Sequence, residues 1–234
     1  NVYAPEISVG TNGVIHIVWH MPGTTIIRYT NSTNGGETFS AVQSVVTGVQ
    51  SISSFLPNID SWAHFPNAKF RVMTIVTSCS VEGNRYIIAW ADYRENVSRI
   101  YYRMTDNSGN WLGPASGQPL LTGTSISNNL HHFHPQIIST GDGIIGCSFY
   151  EFGPKLGKYL IDVRIAASFD DGLSFPYLAT VTDSPWDPAV NAPLSHGDPN
   201  VTFIGEYFGL DASSNSFAVL WTDTRSGVQE LFYS

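Results

Sequence analysis

The sequence predicts an all-β protein, a β-propeller of four-stranded antiparallel blades, with about four blades visible out of a larger ring of about six or seven. Three observations predict it. Only 13% of the 234 residues are charged and 13% are aromatic, with 21 glycines and 13 prolines. Few charges, many aromatics and many turn formers suit short strands around an apolar core, not a disordered chain. A polar tip, "STNGGETF" (Ser32 to Phe39), returns as "SFDDGLSF" (Ser168 to Phe175) and, one residue short, as "TDNSGNW" (Thr105 to Trp111). Each tip is preceded by the same strand, polar loop and strand, and repetition of that kind marks a modular architecture.

The elements follow in order. The first blade, 4–48, reads "APEISV", then the pair within "VIHIVWHMPGTTIIRYT", then "AVQSVV" after the tip. The second, 55–123, takes "KFRVMTIVTS" as its inner strand and "YIIAWADYRENVSRIYYRM" as its pair. The third, 131–183, begins at "HPQIIS", continues through "GIIGCSFYEFGPKLGKYLIDVRIAA" and closes with "YLATVT". The fourth, 198–234, takes "VTFIGEYFGL" and "SFAVLWTDTRSGVQELFYS" and stops where its tip would begin, so its outer strand is missing. The whole is expected to be one propeller domain or a piece of one, completed by further blades from the same polypeptide or another subunit, since open sheet edges are avoided in soluble proteins.

Each tip has a physical reason. Asn34, Asn107 (with Asp106 beside it) and Asp170 can accept hydrogen bonds from the backbone of their own turns, and Gly36, Gly109 and Gly172 permit a positive φ. Ser32 and Ser168 open the tips, and Phe39, Trp111 and Phe175 close them as apolar plugs. The tips resemble the Asp-box repeats, S-x-D-x-G-x-x-W/F, of bacterial neuraminidases, and nearly the whole chain resembles a sialidase-like propeller. The resemblance implies a fold shared by hydrolases, lectins and structural modules. Sialidases of this kind hold a substrate carboxylate with three arginines and use a tyrosine–glutamate pair as nucleophile with an aspartate as acid/base. The corresponding candidates are Arg71, Arg94 and Arg225, the pair Glu206 and Tyr207, and Asp92 or Asp223. The family's arginine-isoleucine-proline signature is absent; "FRVM" (Phe70 to Met73) stands nearest to it.

Connections alternate between the two ends of a meandering blade, so the second-to-third-strand loops and the blade-to-blade links are expected opposite the tips. That face gathers His20, Asp92, Tyr93, Arg94, Glu151, Asp223 and Arg225 from the loops, and His131, His132, His134, His196 and Asp198 from the links. "WADYR" and "WTDTR" suit a repeated brace, with Trp90 and Trp221 in the blade core, as well as ligand contact. "HHFHP" has the residue types of a metal site without a ligand spacing, so no metal and no cofactor is expected. His16 is expected to be a satisfied interior residue.

Charge and cysteines exclude other classes. The net charge is −8, from 11 basic and 19 acidic residues, with no Lys/Arg cluster, so neither nucleic acid nor an anionic bilayer is an expected partner. No run is long enough to span a membrane. Cys79 and Cys147 lie in apolar strands, which favours buried thiols over a bridge. Sequons at Asn31, Asn96 and Asn200 are compatible with a secreted glycoprotein. The expectation is an extracellular, lectin-like propeller that binds a glycan without demonstrated turnover; the alternatives are an interaction module of a larger assembly and an exo-sialidase or other glycoside hydrolase.

Overall fold

The computed structural model describes residues 3–21, 23–56, 58–59, 62–72, 77–123, 127–206 and 208–234. Blade 1 is the antiparallel meander β1 (Tyr3–Val9), β2 (Ile15–His20), β3 (Ile26–Ser32) and β4 (Gln43–Thr47). A link follows with the one-turn helix α1 (Ile52–Phe55) and the two-residue strands β5 (Asn58–Ile59) and β6 (Trp62–Ala63). Blade 2 holds β7 (Thr77–Glu82), β8 (Arg85–Asp92), β9 (Arg99–Met104) and β10 (Gln118–Pro119). Blade 3 holds β11 (His131–Ser139), β12 (Ile145–Lys155), β13 (Lys158–Ser168) and β14 (Tyr177–Thr180). Blade 4 has three strands, β15 (Gly209–Ala212), β16 (Phe217–Asp223) and β17 (Glu230–Tyr233).

The sheets fan out as propeller blades do. β1 packs beside β7, β7 beside β11 and β11 beside β15, so the first strand of each blade lies innermost and neighbours meet in chain order. The tips share one end of this fan. Asn12, in the β1–β2 turn, bonds Asn84 in the β7–β8 turn, and Arg85 donates to the carbonyl of Asp171 in the third tip. Arg94 and Arg225 follow the far ends of β8 and β16, at the opposite end, as the alternation of connections predicts.

Alternation along the middle strands divides the core. β8 is apolar on both sides: Tyr86, Ile88 and Trp90 pack with Val18, Ile27 and Tyr29 of blade 1, whereas Ile87, Ala89 and Ala91 join the cluster shared by blades 2, 3 and 4. A strand buried on both faces reads as a continuous apolar run for this reason. Trp90 and Trp221 are both core residues. Cys147 is buried and Cys79 half-buried, both as free thiols; burial raises each, Cys79 to about 12. His16 stacks on Tyr86 and shares a hydrogen bond with Tyr29. The outward flanks of the end blades stay open: Ile7 and Val9 on blade 1, Leu231 and Tyr233 on blade 4.

Two tips hold together as expected. The Oδ1 atoms of Asn34 and Asp170 accept from the backbone of Thr38 (3.0 Å) and Ser174 (2.9 Å), and Ser32 and Ser168 accept from the amides of Gly36 and Gly172. In the second tip the work falls to Asp106, which accepts from the amides of Ser108 and Asn110, while Asn107 faces Arg85. The shorter tip closes one residue earlier, so its acidic residue moves back by one. Phe175 is buried as a plug, but Phe39 is exposed.

Expected loops and strands differ from those observed in several places. The histidines of "HHFHP" sit inside β11, not in a link; the strand runs through Pro135 because a bulge between Phe133 and Gln136 leaves proline outside the paired ladder. Glu151 lies inside the long strand β12, paired with His132 and Asp162, instead of in a loop. Among the described residues the inner strand of blade 2 is seen from Thr77 and that of blade 4 from Gly209; residues 73–76 and 207, within the expected strands, lie outside the described residues.

Candidate functional site

Two links carry a cluster of polar side chains on the face opposite the tips. The chain after blade 1 and the chain after blade 3 meet in a parallel bridge between Phe70 and Thr202, where Arg71 N–H donates to Thr202 O and Thr202 N–H to Lys69 O, both at 2.8 Å. Phe70 is fully buried against Phe133 and Phe152 of blade 3 and fixes this crossing. Arg71 is thereby held with its side chain 9% exposed. Its Nη2 donates to Oε1 of Glu206 at 2.9 Å, its Nη1 to Nε2 of His196 at 3.0 Å, and its guanidinium lies 4.7 Å from the centre of the Phe203 ring. Three sequence candidates are thus brought together, Arg71 from the first link and, more than a hundred residues later, His196 and Glu206 from the second. Phe203 was not singled out, because no motif marks a ring that matters only through the fold. Tyr207, next to Glu206, lies outside the described residues. Asp198 accepts from the amide of Asn200 and shapes the turn beside His196.

The paired "WADYR" and "WTDTR" segments form two matching braces. Asp92 and Asp223 are fully buried. Each accepts from the indole of the tryptophan two residues before it (3.1 and 3.3 Å) and from the amide of the arginine two residues after it (3.0 and 2.9 Å). Each also ion-pairs with that arginine, and Arg94 and Arg225 then cover the rings of Tyr101 and Phe232. Arg225 additionally reaches Asp183 and Ser184 after β14, which ties blade 4 to blade 3.

The remaining candidates divide among the blades. His20 is buried and bonds Thr24 O within its own hairpin. Glu151 sits in an ionic network, receiving bonds from His132 (3.1 Å), Lys155 (3.1 Å) and Arg164 (2.9 Å), while Lys155 also bonds Asp162. Burial alone would raise the Glu151 carboxyl, but the hydrogen bond from His132 and the charges around it hold it down at about 2. Burial outweighs the pull of Glu151 on His132 and lowers that imidazole. His131 is stacked between Phe65 and Tyr93 and accepts from Ser98 N–H at Nδ1; burial and the nearby Arg99 lower it to about 4. His134, in the left-handed region at φ 50, lies against Phe133 and Tyr150, and burial lowers it to about 4. The three histidines of β11 therefore diverge, and among the described residues no three His, Cys, Asp or Glu side chains converge as a metal-ligand set.

No family model matches the chain, and no curated protein matches it. Among solved structures it is similar to a protein of unknown function from Dyadobacter fermentans, with a TM-score of 0.55 at 12% identity over 100% of this chain and 60% of that one. It is also similar to the Hadza microbial sialidase Hz136, with a TM-score of 0.58 at 11% identity over 100% of this chain and 44% of that one. The chain thus spans less than two thirds of the length of either. At these identities the likeness establishes the fold, and the observed sheets agree: an all-β assembly of antiparallel propeller blades.

Proposed function

We propose that the protein is a secreted, carbohydrate-recognising propeller whose ligand meets the face opposite the tips at Arg71, Glu206 and His196, and that it works by binding and not by turnover. The observation that carries this reading is the convergence of the three side chains, from two separate links, on one hydrogen-bonded cluster. A guanidinium beside a carboxylate offers donors and acceptors side by side, which matches the paired hydroxyls of a sugar, and the planar fork of arginine also suits an acidic sugar's carboxylate. The preference for binding rests on the other candidate carboxylates. Glycoside hydrolysis uses two carboxyl groups about 5–5.5 Å or about 6.5–9.5 Å apart across the scissile bond. Asp92 and Asp223 are buried in braces, Glu151 is enclosed by three cationic or imidazole partners, and Asp198 shapes its own turn. The exposed sequon asparagine at 200 supports the assignment to a secreted protein.

A second reading, glycoside hydrolysis, is favoured by the likeness to a sialidase and by the adjacency of Glu206 and Tyr207. A glycan array combined with a panel of fluorogenic glycosides separates the two. Saturable binding without turnover, weakened about tenfold or more by Glu206→Gln and by Arg71→Lys, is expected. Turnover abolished by Glu206→Gln would establish the second reading, and neither binding nor turnover would leave an interaction module and overturn both.

A further inference from the structure

A polar concavity on the same face is lined by none of Arg71, His196 and Glu206. β12 and β13 each run for 11 residues, longer than any other strand described, and their hairpin stands up beyond the blade with Leu156 and Gly157 at its turn. Beneath this overhang, between blades 2 and 3, is a cleft of about 320 Å³ lined by Asn67, Asn96, Asn128, Asn129, His131 and Tyr159, with two prolines. It shares Asn67 and Tyr159 with a neighbouring cleft of about 300 Å³ that continues past Phe152 to Asp187, Pro188 and Ala189 and is also lined by Lys69, so the second cleft carries one acidic and one basic side chain and no excess of either charge. Each volume falls at the lower end of the ~300–1,000 Å³ typical of small-molecule sites.

The chemistry of the lining is selective. No acidic or basic side chain lines the first cleft among the described residues. Four carboxamides come from three separate segments, and each offers both donors and an acceptor. The amide of Asn67 donates to the Tyr159 hydroxyl at 2.9 Å, which fixes the wall between the two clefts. Asn67 and Asn96 hold positive φ at their turns, a conformation that asparagine tolerates, so the turns account for their backbone but not for where the side chains gather. The segment bearing Asn128 and Asn129 is pinned from below by Arg99, which donates to the carbonyls of Ser127 and Leu130. His131 accepts at Nδ1 from Ser98 N–H, so a neutral ring carries its proton on Nε2 as one further donor. Tyr159, 40% exposed, supplies an aromatic face.

We propose that this cleft is a binding site for an uncharged saccharide, separate from the Arg71 cluster. A neutral sugar presents a ring of hydroxyls that both donate and accept, and an apolar C–H face that can lie on an aromatic ring. The cleft answers the first with carboxamides and an imidazole N–H and the second with Tyr159. A charged ligand would find no counter-ion in the first cleft. An apolar one would leave the carboxamides without partners. The two clefts joined at Asn67 and Tyr159 suit a chain of more than one sugar unit.

The test is a titration of the whole chain, produced without N-glycosylation so that Asn96 is bare, with short gluco-, galacto-, manno- and arabino-oligosaccharides. Binding is read by calorimetry and by amide shifts. At least one series is expected to saturate. Tyr159→Ala and Asn128→Ala are expected to weaken it by about tenfold or more, while Tyr159→Phe, which keeps the ring, weakens it less. Glu206→Gln is expected to leave it unchanged, which distinguishes this site from the Arg71 cluster. Affinity is also expected to stay flat as pH falls until His131 protonates near 4. Asn128 is exposed, so Asn128→Ala reads the site even where Tyr159→Ala fails to fold. Absence of saturation in every series overturns the proposal. So does binding that is indifferent to Asn128→Ala, whether or not Glu206→Gln abolishes it.

Discussion

Acidic residues on the functional face have the same chemistry and different fates. Asp92 and Asp223 are enclosed by indole, backbone and guanidinium donors, whereas Glu206 meets Arg71 with its side chain 27% exposed. Sequence spacing could suggest the braces, because W-x-D-x-R keeps all their partners within a few residues. It could not pair Arg71 with Glu206, whose meeting depends on two links crossing. Glu151 shows how such burial reaches into stability. Its folded pKa, about 2, lies below the ordinary 4.5, so it stabilises the fold above about 4.5 and loses that contribution as pH falls toward 2. The loss is expected to be on the order of 3 kcal/mol. Chemical denaturation across this range should show wild-type stability dropping and Glu151→Gln giving a shallower slope; equal slopes would assign the acid lability elsewhere. His131 and His134, both lowered to about 4, act in an earlier window, withdrawing their contribution as pH falls from 6.5 toward 4.

Among elements, the tips were the most legible because all their bonds are local. Ser168, Asp170, Gly172 and Ser174 close their network within seven residues, so the pattern carries its own explanation. β11 was misread for the converse reason. Proline usually marks an element's boundary, but at a bulge it needs no ladder partner, and nothing local in "HHFHP" announces the bulge. The tips also differ in what surrounds them. Gly172 has φ +86, and a Cβ there would meet Ile145 Cδ1 at 3.0 Å and Ile87 Cδ1 at 3.3 Å; Gly109 has φ +83 with nothing within 4 Å. Gly109→Ala should therefore cost about 1 kcal/mol from backbone strain alone, and Gly172→Ala about 2–3 kcal/mol once crowding is added. Thermal or urea unfolding of the two variants measures the difference, and equal costs would show that blade 3 yields to the methyl group.

For the whole molecule, repetition made the blade plan readable, while the cleft beneath the β12–β13 overhang was not readable at all. Asn67, Asn96, Asn128 and Asn129 follow no period, and only the assembled blades bring them to one place. The same assembly divides the core in two, with one cluster at the seam of blades 1 and 2 and the other running through blades 2, 3 and 4. Chains of modules that touch only their neighbours can lose an end before the middle. Ile27→Ala, a buried large-to-small change worth about 2–5 kcal/mol, should lower hydrogen-exchange protection in β2 and β3 while β12 and β13 keep theirs. A uniform loss would mean that the four sheets open as one unit.

The doubly covered strand β8 carries a wider consequence. Tyr86, Ile88 and Trp90 offer bulk to one neighbour, and Ala89 and Ala91, beside Ile87, offer hollows to the other, so its two sides are not interchangeable. β12 repeats the asymmetry at the next seam, where Gly146 leaves room for the ring of Phe217. Which sheet may sit to the left and which to the right is written in the alternating girth of single strands, so blades transplanted in a different order would meet bulk with bulk and gap with gap.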